Sequence, residues 1–432
     1  MRLSGWGRYP AVEAKPLPFT DHHSFASRLA AEESIITYGN GRSYGDSALA
    51  ERFVPFRRQN RMLDFDPSSG ILTCEAGVLL SEILEAFLPR GWFLQVTPGT
   101  KLITVGGAIA ADVHGKNHHV DGCFGDTVQS LELMLADGSC VRCSRQENPE
   151  LFHATCGGMG LTGIILQASF YLQKVPSAVI EQGTIKTGNL EETFQAFEKY
   201  ADWPYSVAWI DCLATRKSLG RSLLMVGRFA PIGSHAYAPR KTKTVPFDFP
   251  GWVLNTSSVR AFNTLYYARI RSRINLSFTD VDSFFYPLDA INNWNRIYGP
   301  KGFIQYQFIL PKLHSYAGLE KILGKISQSG MASFLAVLKL HGPANANFLS
   351  FPLEGYSLAL DFKIQPGLLS LLNELDSIVL QHKGRIYLAK DARMSRETCD
   401  TGYPQIERFR ALRTSLGLQK KFNSLQSQRL GL

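Results

Sequence analysis

The stretch Thr104–His119, TVGGAIAADVHGKNHH, sets two adjacent glycines and a run of small residues ahead of His114, Lys116, Asn117, His118 and His119. Gly106 and Gly107 lack a Cβ, which allows positive φ there and a close approach of backbone to a ligand. Ala108, Ala110 and Ala111 keep the adjoining surface flat, and polar donors follow where such a ligand ends. Small residues for contact and then donors for chemistry are what a bulky planar ligand asks of its wall.

A chain of 432 residues is long enough for two domains. With 45% hydrophobic and 19% charged residues it reads as an ordinary globular protein. No segment has the uninterrupted apolar length of a membrane span; the longest uncharged stretch, Leu151–Gln173, is broken by His153 and four glycines. The start, MRLSGWGRYP, has no apolar signal-peptide core, and seven cysteines form no paired framework. Both features predict reduced thiols in the cytoplasm. Cys140 and Cys143 form a lone CxxC with no second pair, which is too little for a zinc or redox site.

The net charge of +9 is concentrated. Between Pro231 and Asn275 lie Arg240, Lys241, Lys243, Arg260, Arg269, Arg271 and Arg273 against Asp248 alone, interleaved with Phe247, Phe249, Trp252, Phe262, Tyr266 and Tyr267. The segment reads as a solvated insertion, a phosphate-binding lid or a patch for an anionic membrane surface. A nucleic-acid surface is disfavoured, because no nucleic-acid motif accompanies it.

In chain order, Ser34–Tyr38 reads as a buried strand running into GNGRSYGDSA, whose Gly39, Gly41 and Gly45 suit a tight anion-binding loop. Leu63–Phe65 and Gly70–Glu75 read as paired strands around DPSSG, and Leu79–Leu88 as a helix stopping before Pro89 and Gly91. Phe93–Val96 is a strand, Thr97–Thr100 a turn, Asp126–Asp137 a strand ending in a hairpin signal, and Glu147–Phe152 a short helix. Gly158–Gly163 satisfies GxGxxG, but the residues that follow, IILQASFYL, alternate and branch like a strand. The dinucleotide fingerprint must open a helix, so a Rossmann site is rejected.

GNGRSYGDSA, TPGT, TVGGAIAADVHGKNHH and ELFHATCGGMGLTGII together resemble the FAD-binding domain of the vanillyl-alcohol-oxidase (PCMH) type. Within that group the resemblance is to the decaprenylphosphoryl-β-D-ribose 2-oxidase enzymes, the flavin half of an epimerase. It continues through GWGRYP, SVAWIDCL, YPLDAINNWNRIYGPKGFIQYQFILP, FLAVLKLHGP and GRIYLAKDARM, and leaves out the basic insertion. It implies an α+β flavoprotein of two domains. A discontinuous FAD-binding domain takes residues 1–178 and 385–432; a substrate domain with an antiparallel sheet takes residues 179–384, with a mobile basic insertion at about 229–280.

The resemblance also implies the site. It assigns non-covalent FAD to Gly39, Asn40, Gly41, Arg42, Ser43, Tyr44, Gly45, Asp46, Gly99, Thr100, Thr104, Val105, Gly106, Gly107, Ala110, His114, Gly115, Asn117, Ile164 and Tyr387. Lys116, Trp209, Phe285, Gln305, Gln307 and Lys339 match the substrate pocket, and Lys390, His114 and Tyr44 the catalytic positions. A lysine serves as base only if burial or nearby positive charge lowers its pKa; otherwise Lys390 acts as a cation. Plainer readings are a histidine satisfied in a turn at 114, a turn aromatic at 44 and a surface lysine at 390. His114 and His118 have i,i+4 spacing, but Gly115 and the lack of a carboxylate argue against a metal. GRIYLAKDAR reads as a strand through Tyr387–Ala389, with Tyr387 and Ala389 facing opposite to Leu388 and Lys390.

Some positions depart from the resemblance. Arg42 stands where many relatives carry the histidine that links flavin covalently. Ala359 stands in place of a flavin-facing cysteine, and Ser357, Phe285 and Cys123 replace an asparagine, a tyrosine and a serine. The implied reaction is oxidation of a secondary hydroxyl of a sugar, a polyprenyl-phosphate-linked pentose, to a keto sugar as the first half of an epimerisation. A separate NAD(P)H-dependent ketoreductase completes it, and oxygen, a quinone or another acceptor reoxidises the flavin. Nucleic acid is excluded as a partner, and the membrane enters at most as a peripheral contact on its cytoplasmic face. The alternatives are a free-sugar, alditol, aldonolactone or glycoside-tailoring FAD oxidase, and a flavin-binding scaffold without turnover.

Overall fold

Short alternating runs between Gly, Pro and Asp turns fill the first part of the chain, and the alternation decides which face of each is buried. In the computed structural model, which describes residues 1–432, these runs include seven strands that frame the site. They are β1 (Ile36–Tyr38), β2 (Met62–Asp66), β3 (Ile71–Glu75), β4 (Trp92–Leu94), β5 (Val128–Met134), β6 (Cys140–Ser144) and β7 (Ile164–Lys174). Among the helices between them are α1 (His22–Ala31), α2 (Leu80–Phe87) and α3 (Val105–Ala110). The strands from β2 onward form one antiparallel sheet in the order β6-β5-β7-β3-β2, with β4 paired to the end of β7. The pair around DPSSG is β2–β3, and the turn through Gly138 joins β5 to β6. Asp66 closes the first turn by accepting from the Ser68 N–H at 2.8 Å and from the Ser68 and Ser69 hydroxyls at 2.6 Å. α2 buries Leu80, Ile83, Leu84 and Phe87, and gives way at Pro89 to Gly91, whose φ of 80° only glycine adopts freely.

A second sheet of eight strands follows: β8 (Val179–Thr187), β9 (Tyr205–Ile210), β10 (Ser222–Phe229), β11 (Ile274–Asp280), β12 (Phe303–Pro311), β13 (Ala336–His341), β14 (Gly355–Lys363) and β15 (Arg385–Ile386). Every pairing in the order β11-β8-β10-β9-β13-β14-β12-β15 is antiparallel. β12 is buried on both faces, which is why FIQYQFIL reads as nearly continuous apolar sequence. Its Tyr306 donates to Asp376 at 3.0 Å on one face, while Gln305 and Gln307 point to the other.

Three sequence expectations change here. The positive φ open to Gly106 and Gly107 is not used; both lie inside α3. Their value is close packing, since a Cβ on Gly106 would stand 3.0 Å from that of Ala76. The strand through Tyr387–Ala389 does not form: β15 stops at Ile386, and the N–H groups of Lys390 and Asp391 bond back to the Tyr387 carbonyl as a turn. The basic insertion carries ordered elements, helix α4 (Thr256–Ala268) and β11, which forms the outer edge of the second sheet.

The C-terminal segment returns to the N-terminal part of the chain, where the Asn423 N–H donates to the Ile35 carbonyl just before β1. Arg429 bridges Asp46 at 2.9 Å and Asp391 at 2.7 Å, tying the tail to the loop after β1. Gly45 is obligatory there, because a Cβ would fall 1.6 Å from the Asp391 carbonyl oxygen.

Candidate active site

A cavity of about 730 Å³ is walled on one side by the loop after β1 and α3, and on the other by the second sheet. That volume is in the range of a cofactor pocket. In the loop, the backbone N–H groups of Asn40, Gly41, Arg42 and Ser43 find no acceptor in the protein. Gly41 takes φ 63°, so successive N–H groups converge as an anion-binding nest requires. Arg42 lies 4.1 Å from the Trp6 ring centroid, and its buried Nε has no partner. Unpaired buried donors of this kind are costly unless a ligand accepts from them. α3 continues the wall: Thr104 caps it by accepting from the Gly107 N–H at 3.1 Å, leaving Gly106, Gly107 and Ala110 facing the space. Donors for a diphosphate followed by a flat glycine-alanine face fit FAD.

The opposite wall is a row set by strand register. Trp209 on β9 is opposite Val337 on β13, Val337 opposite Ala359 on β14, and Ala359 opposite Gln307 on β12. Since opposed residues share a face, all four present to the cavity. Lys339 and Ser357 are opposed one step along, and Gln305 is opposite Asp361 on the other side.

Gln305 Nε2 donates to Asp361 at 2.6 Å and the Tyr298 hydroxyl to the same carboxylate at 3.2 Å. Asp361 is fully buried, and burial pushes it up to about 7 against the opposing pull of Gln305 and Lys390. Lys390 Nζ lies 3.8 Å from the Tyr44 ring centroid. Burial pushes this lysine down to about 7; Asp361 opposes the shift and Lys339 adds to it. Burial also pushes Lys116 down to about 7 and Lys339 to about 8. Five basic side chains, Arg42, Lys116, Arg269, Lys339 and Lys390, line the cavity against the single carboxylate of Asp289.

His114 is neutral, because burial and the neighbouring lysines hold its pKa well below the usual range. Gln307 Nε2 lies 3.0 Å from His114 Nε2, and an amide N–H can only donate. His114 Nε2 therefore accepts, and the proton sits on Nδ1, which is buried and unpartnered. The Tyr387 ring lies beside it, tilted at 49° with centroids 5.2 Å apart, and its hydroxyl donates to the Ala111 carbonyl at 2.8 Å.

The structure brings most of the implied residues to this one cavity: Gly39 through Gly45, Gly99, Thr100, Thr104, Gly106, Gly107, Ala110, His114, Lys116, Trp209, Phe285, Gln305, Gln307, Lys339, Tyr387 and Lys390. Five lie outside its wall. Asp46 is the buried partner of Arg429, Val105 and Ile164 are core residues, and Asn117 donates to the Gln95 carbonyl and Asp121. Gly115 backs onto Asn117 and Thr97. The expected alternation around Lys390 fails: in the turn, Tyr387, Ala389 and Lys390 all reach the cavity while Leu388 is buried elsewhere.

Sequence reading missed Asp361, although period-two counting from Ser357 and Ala359 points to it. It also missed Trp6 under Arg42, and the α4 wall, where Phe262, Tyr266 and Arg269 share one helix face toward the cavity. Met159, Gly160 and Gly163 of the GxGxxG segment line the cavity too, leading into strand β7 and not into a helix.

An FAD-binding-domain family model matches residues 21–144. Decaprenylphosphoryl-beta-D-ribose oxidase of Mycolicibacterium smegmatis is 37% identical, covering 100% of this chain and 97% of its own length. L-gulonolactone oxidase of Mus musculus is 33% identical over 33% of this chain and 32% of its own. D-arabinono-1,4-lactone oxidase of Yarrowia lipolytica is 27% identical over 40% and 34% respectively.

Proposed function

The chain belongs to the PCMH-type FAD-binding oxidoreductases, in the family of decaprenylphosphoryl-beta-D-ribose oxidase, and we propose that it oxidises a secondary hydroxyl of a polyprenyl-phosphate-linked pentose to a keto sugar. It is an FAD-dependent enzyme acting on a CH–OH group. The lactone oxidases match only about a third of the chain, so the substrate reading leans on the full-length relative. The observation that carries it is the lysine-lined cavity: five basic side chains, of which Arg42 and Arg269 are permanently charged and the lysines can take up a proton, suit a phosphate-linked sugar and a diphosphate cofactor better than a neutral sugar.

FAD, when bound, supplies the acceptor for the hydride that leaves the sugar carbon. The nest of Asn40 to Ser43 and Arg42 would hold its diphosphate, and α3 its flat body. Neutral Lys390 takes the hydroxyl proton onto Nζ, since its lowered pKa places a free amine near neutral pH. Asp361 and the Tyr44 ring then stabilise the ammonium that forms. His114 offers the Nδ1–H donor, and Gln305, Gln307 and Lys339 orient the sugar and its phosphate. The division of labour follows the two sheets, with the first and the C-terminal return serving the cofactor and residues 179–384 the substrate. A separate ketoreductase and an external electron acceptor complete the turnover. No helix is long and apolar enough to cross a membrane; the basic segment meets the lipid-borne substrate at the surface.

The test is to incubate the enzyme with farnesylphosphoryl-β-D-ribose, quench with borodeuteride and locate the label. Deuterium at one sugar carbon, dependent on enzyme, is the expected result; an unlabelled sugar alongside labelled gulonolactone product would move the reading to a lactone oxidase.

A further inference from the structure

Cys140 is the one exposed thiol of the chain, the other six cysteines being buried. Its Sγ lies 3.7 Å from His22 Nδ1. A carboxylate oxygen of Glu132 joins them, and the three ligand atoms all fall within 4.8 Å of one another. None of the three residues lines the flavin cavity.

Three elements converge to make this group. In the β5–β6 pair, Glu132 is opposite Arg142 and Met134 opposite Cys140, so Glu132 and Cys140 are diagonal neighbours on one face. His22 opens α1, and Ala26 lies one turn further along the same helix face. Ala26 is pressed against the hairpin tip: a Cβ on Gly138, which takes φ 84°, would stand 2.6 Å from that of Ala26. A side-chain-free tip thus lets the helix approach closely enough to bring His22 over Cys140. Glu132 is oriented from behind, where Gln167 Nε2 donates to its Oε2 at 2.6 Å and leaves Oε1 free. A donor that orients a ligating carboxylate in this way is what metal sites use beyond their direct ligands.

We propose that His22, Glu132 and Cys140 form a Zn²⁺ site with water in the fourth position. Imidazole, carboxylate and thiolate are zinc's ligand types, and the thiolate excludes Mg²⁺ and Ca²⁺ as natural occupants. Tetrahedral bonds of about 2.3 Å to sulfur and 2.0 Å to nitrogen set those two atoms roughly 3.5 Å apart, close to the 3.7 Å observed. On binding, the S–Zn bond forms as the Cys140 thiol proton passes to solvent, with no change in oxidation state. The CxxC partner is not involved, since Cys143 lies three residues along the strand, is buried and faces the other way. The ion would tie the first helix to the β5–β6 hairpin.

The test dialyses tag-free, flavin-loaded protein against Zn²⁺ and counts bound metal in wild type, His22→Ala, Glu132→Gln and Cys140→Ser, with flavin content checking the fold. One equivalent in wild type is expected, with affinity at least about tenfold weaker in each variant. In parallel, Zn²⁺ should slow alkylation of Cys140 by iodoacetamide, read by peptide mass, in wild type but not in His22→Ala. No bound zinc in wild type, or equal binding by the three variants, overturns the site.

Discussion

Lys390 Nζ stands 3.8 Å from the centre of the Tyr44 ring, joining the C-terminal return to the loop after β1 across the wall of the cavity. The two residues are far apart in sequence, and they meet because the Tyr44 N–H donates to the Ala389 carbonyl at 3.2 Å. The face of an aromatic ring favours an ammonium without supplying a counter-charge that would lock it there. Tyr44 can therefore support a lysine that alternates between neutral and charged forms.

Lys390→Met keeps the length of the stem and deletes the amine. Flavin should remain bound while anaerobic reduction by substrate slows by about 10²–10³-fold, the usual cost of losing one well-placed polar group in the transition state. Stopped-flow absorbance reads both. Reduction at the wild-type rate in a flavin-loaded variant removes Lys390 from the chemistry.

The pH dependence has a definite sign. Lys390 is lowered to about 7 and must be neutral to accept a proton, so the reduction rate should rise as pH increases through about 7. Asp361 favours the charged lysine, so Asp361→Asn should lower the pKa further and move the rising limb to lower pH. A limb that falls with pH would mean that Lys390 works as a cation. A limb unmoved by Asp361→Asn would uncouple the pair.

Much of this site was legible in sequence, because loop-and-glycine motifs are local. GNGRSYGDSA and TVGGAIAADVHGKNHH each carry their contacts within a dozen or so residues, and both line the cavity. What was not legible depended on tertiary closure. The turn at Tyr387–Asp391 overrides a good strand pattern, because the loop around Gly45 and the ion pair to Arg429 hold it. Asn117 looked like a ligand contact but spends its amide on Gln95 and Asp121, one turn of chain away. The α4 wall lay within a segment whose charge left a solvated insertion, a phosphate-binding lid and a membrane patch equally open, because charge does not show that Val259 and Asn263 bury its inner face.

The flavin should be non-covalent. Arginine at position 42 cannot form a covalent bond to the flavin, and its side chain is engaged with Trp6. Acid precipitation should leave the yellow colour in the supernatant. Colour retained in the washed pellet would show a covalent link from another residue.

Ala359 sits between Val337 and Gln307 in the row that faces the cavity. A thiol-directed nitroso-aromatic should form no adduct at this position, and Ala359→Cys should gain one, read by intact mass. A folded, flavin-loaded Ala359→Cys protein that stays unmodified would indicate that the row does not face the flavin.

Anaerobic flavin bleaching tests the central claim most directly. The flavin-loaded enzyme is mixed, without oxygen, with farnesylphosphoryl-β-D-ribose, with free D-ribose and with L-gulono-1,4-lactone, and absorbance at the flavin band is followed. Full bleaching by the phosphate-linked pentose, with one keto sugar formed per flavin and neither neutral compound acting at comparable concentration, is the result expected. Bleaching by a neutral compound with none by the phosphate-linked pentose, or bleaching by none of the three, would contradict it.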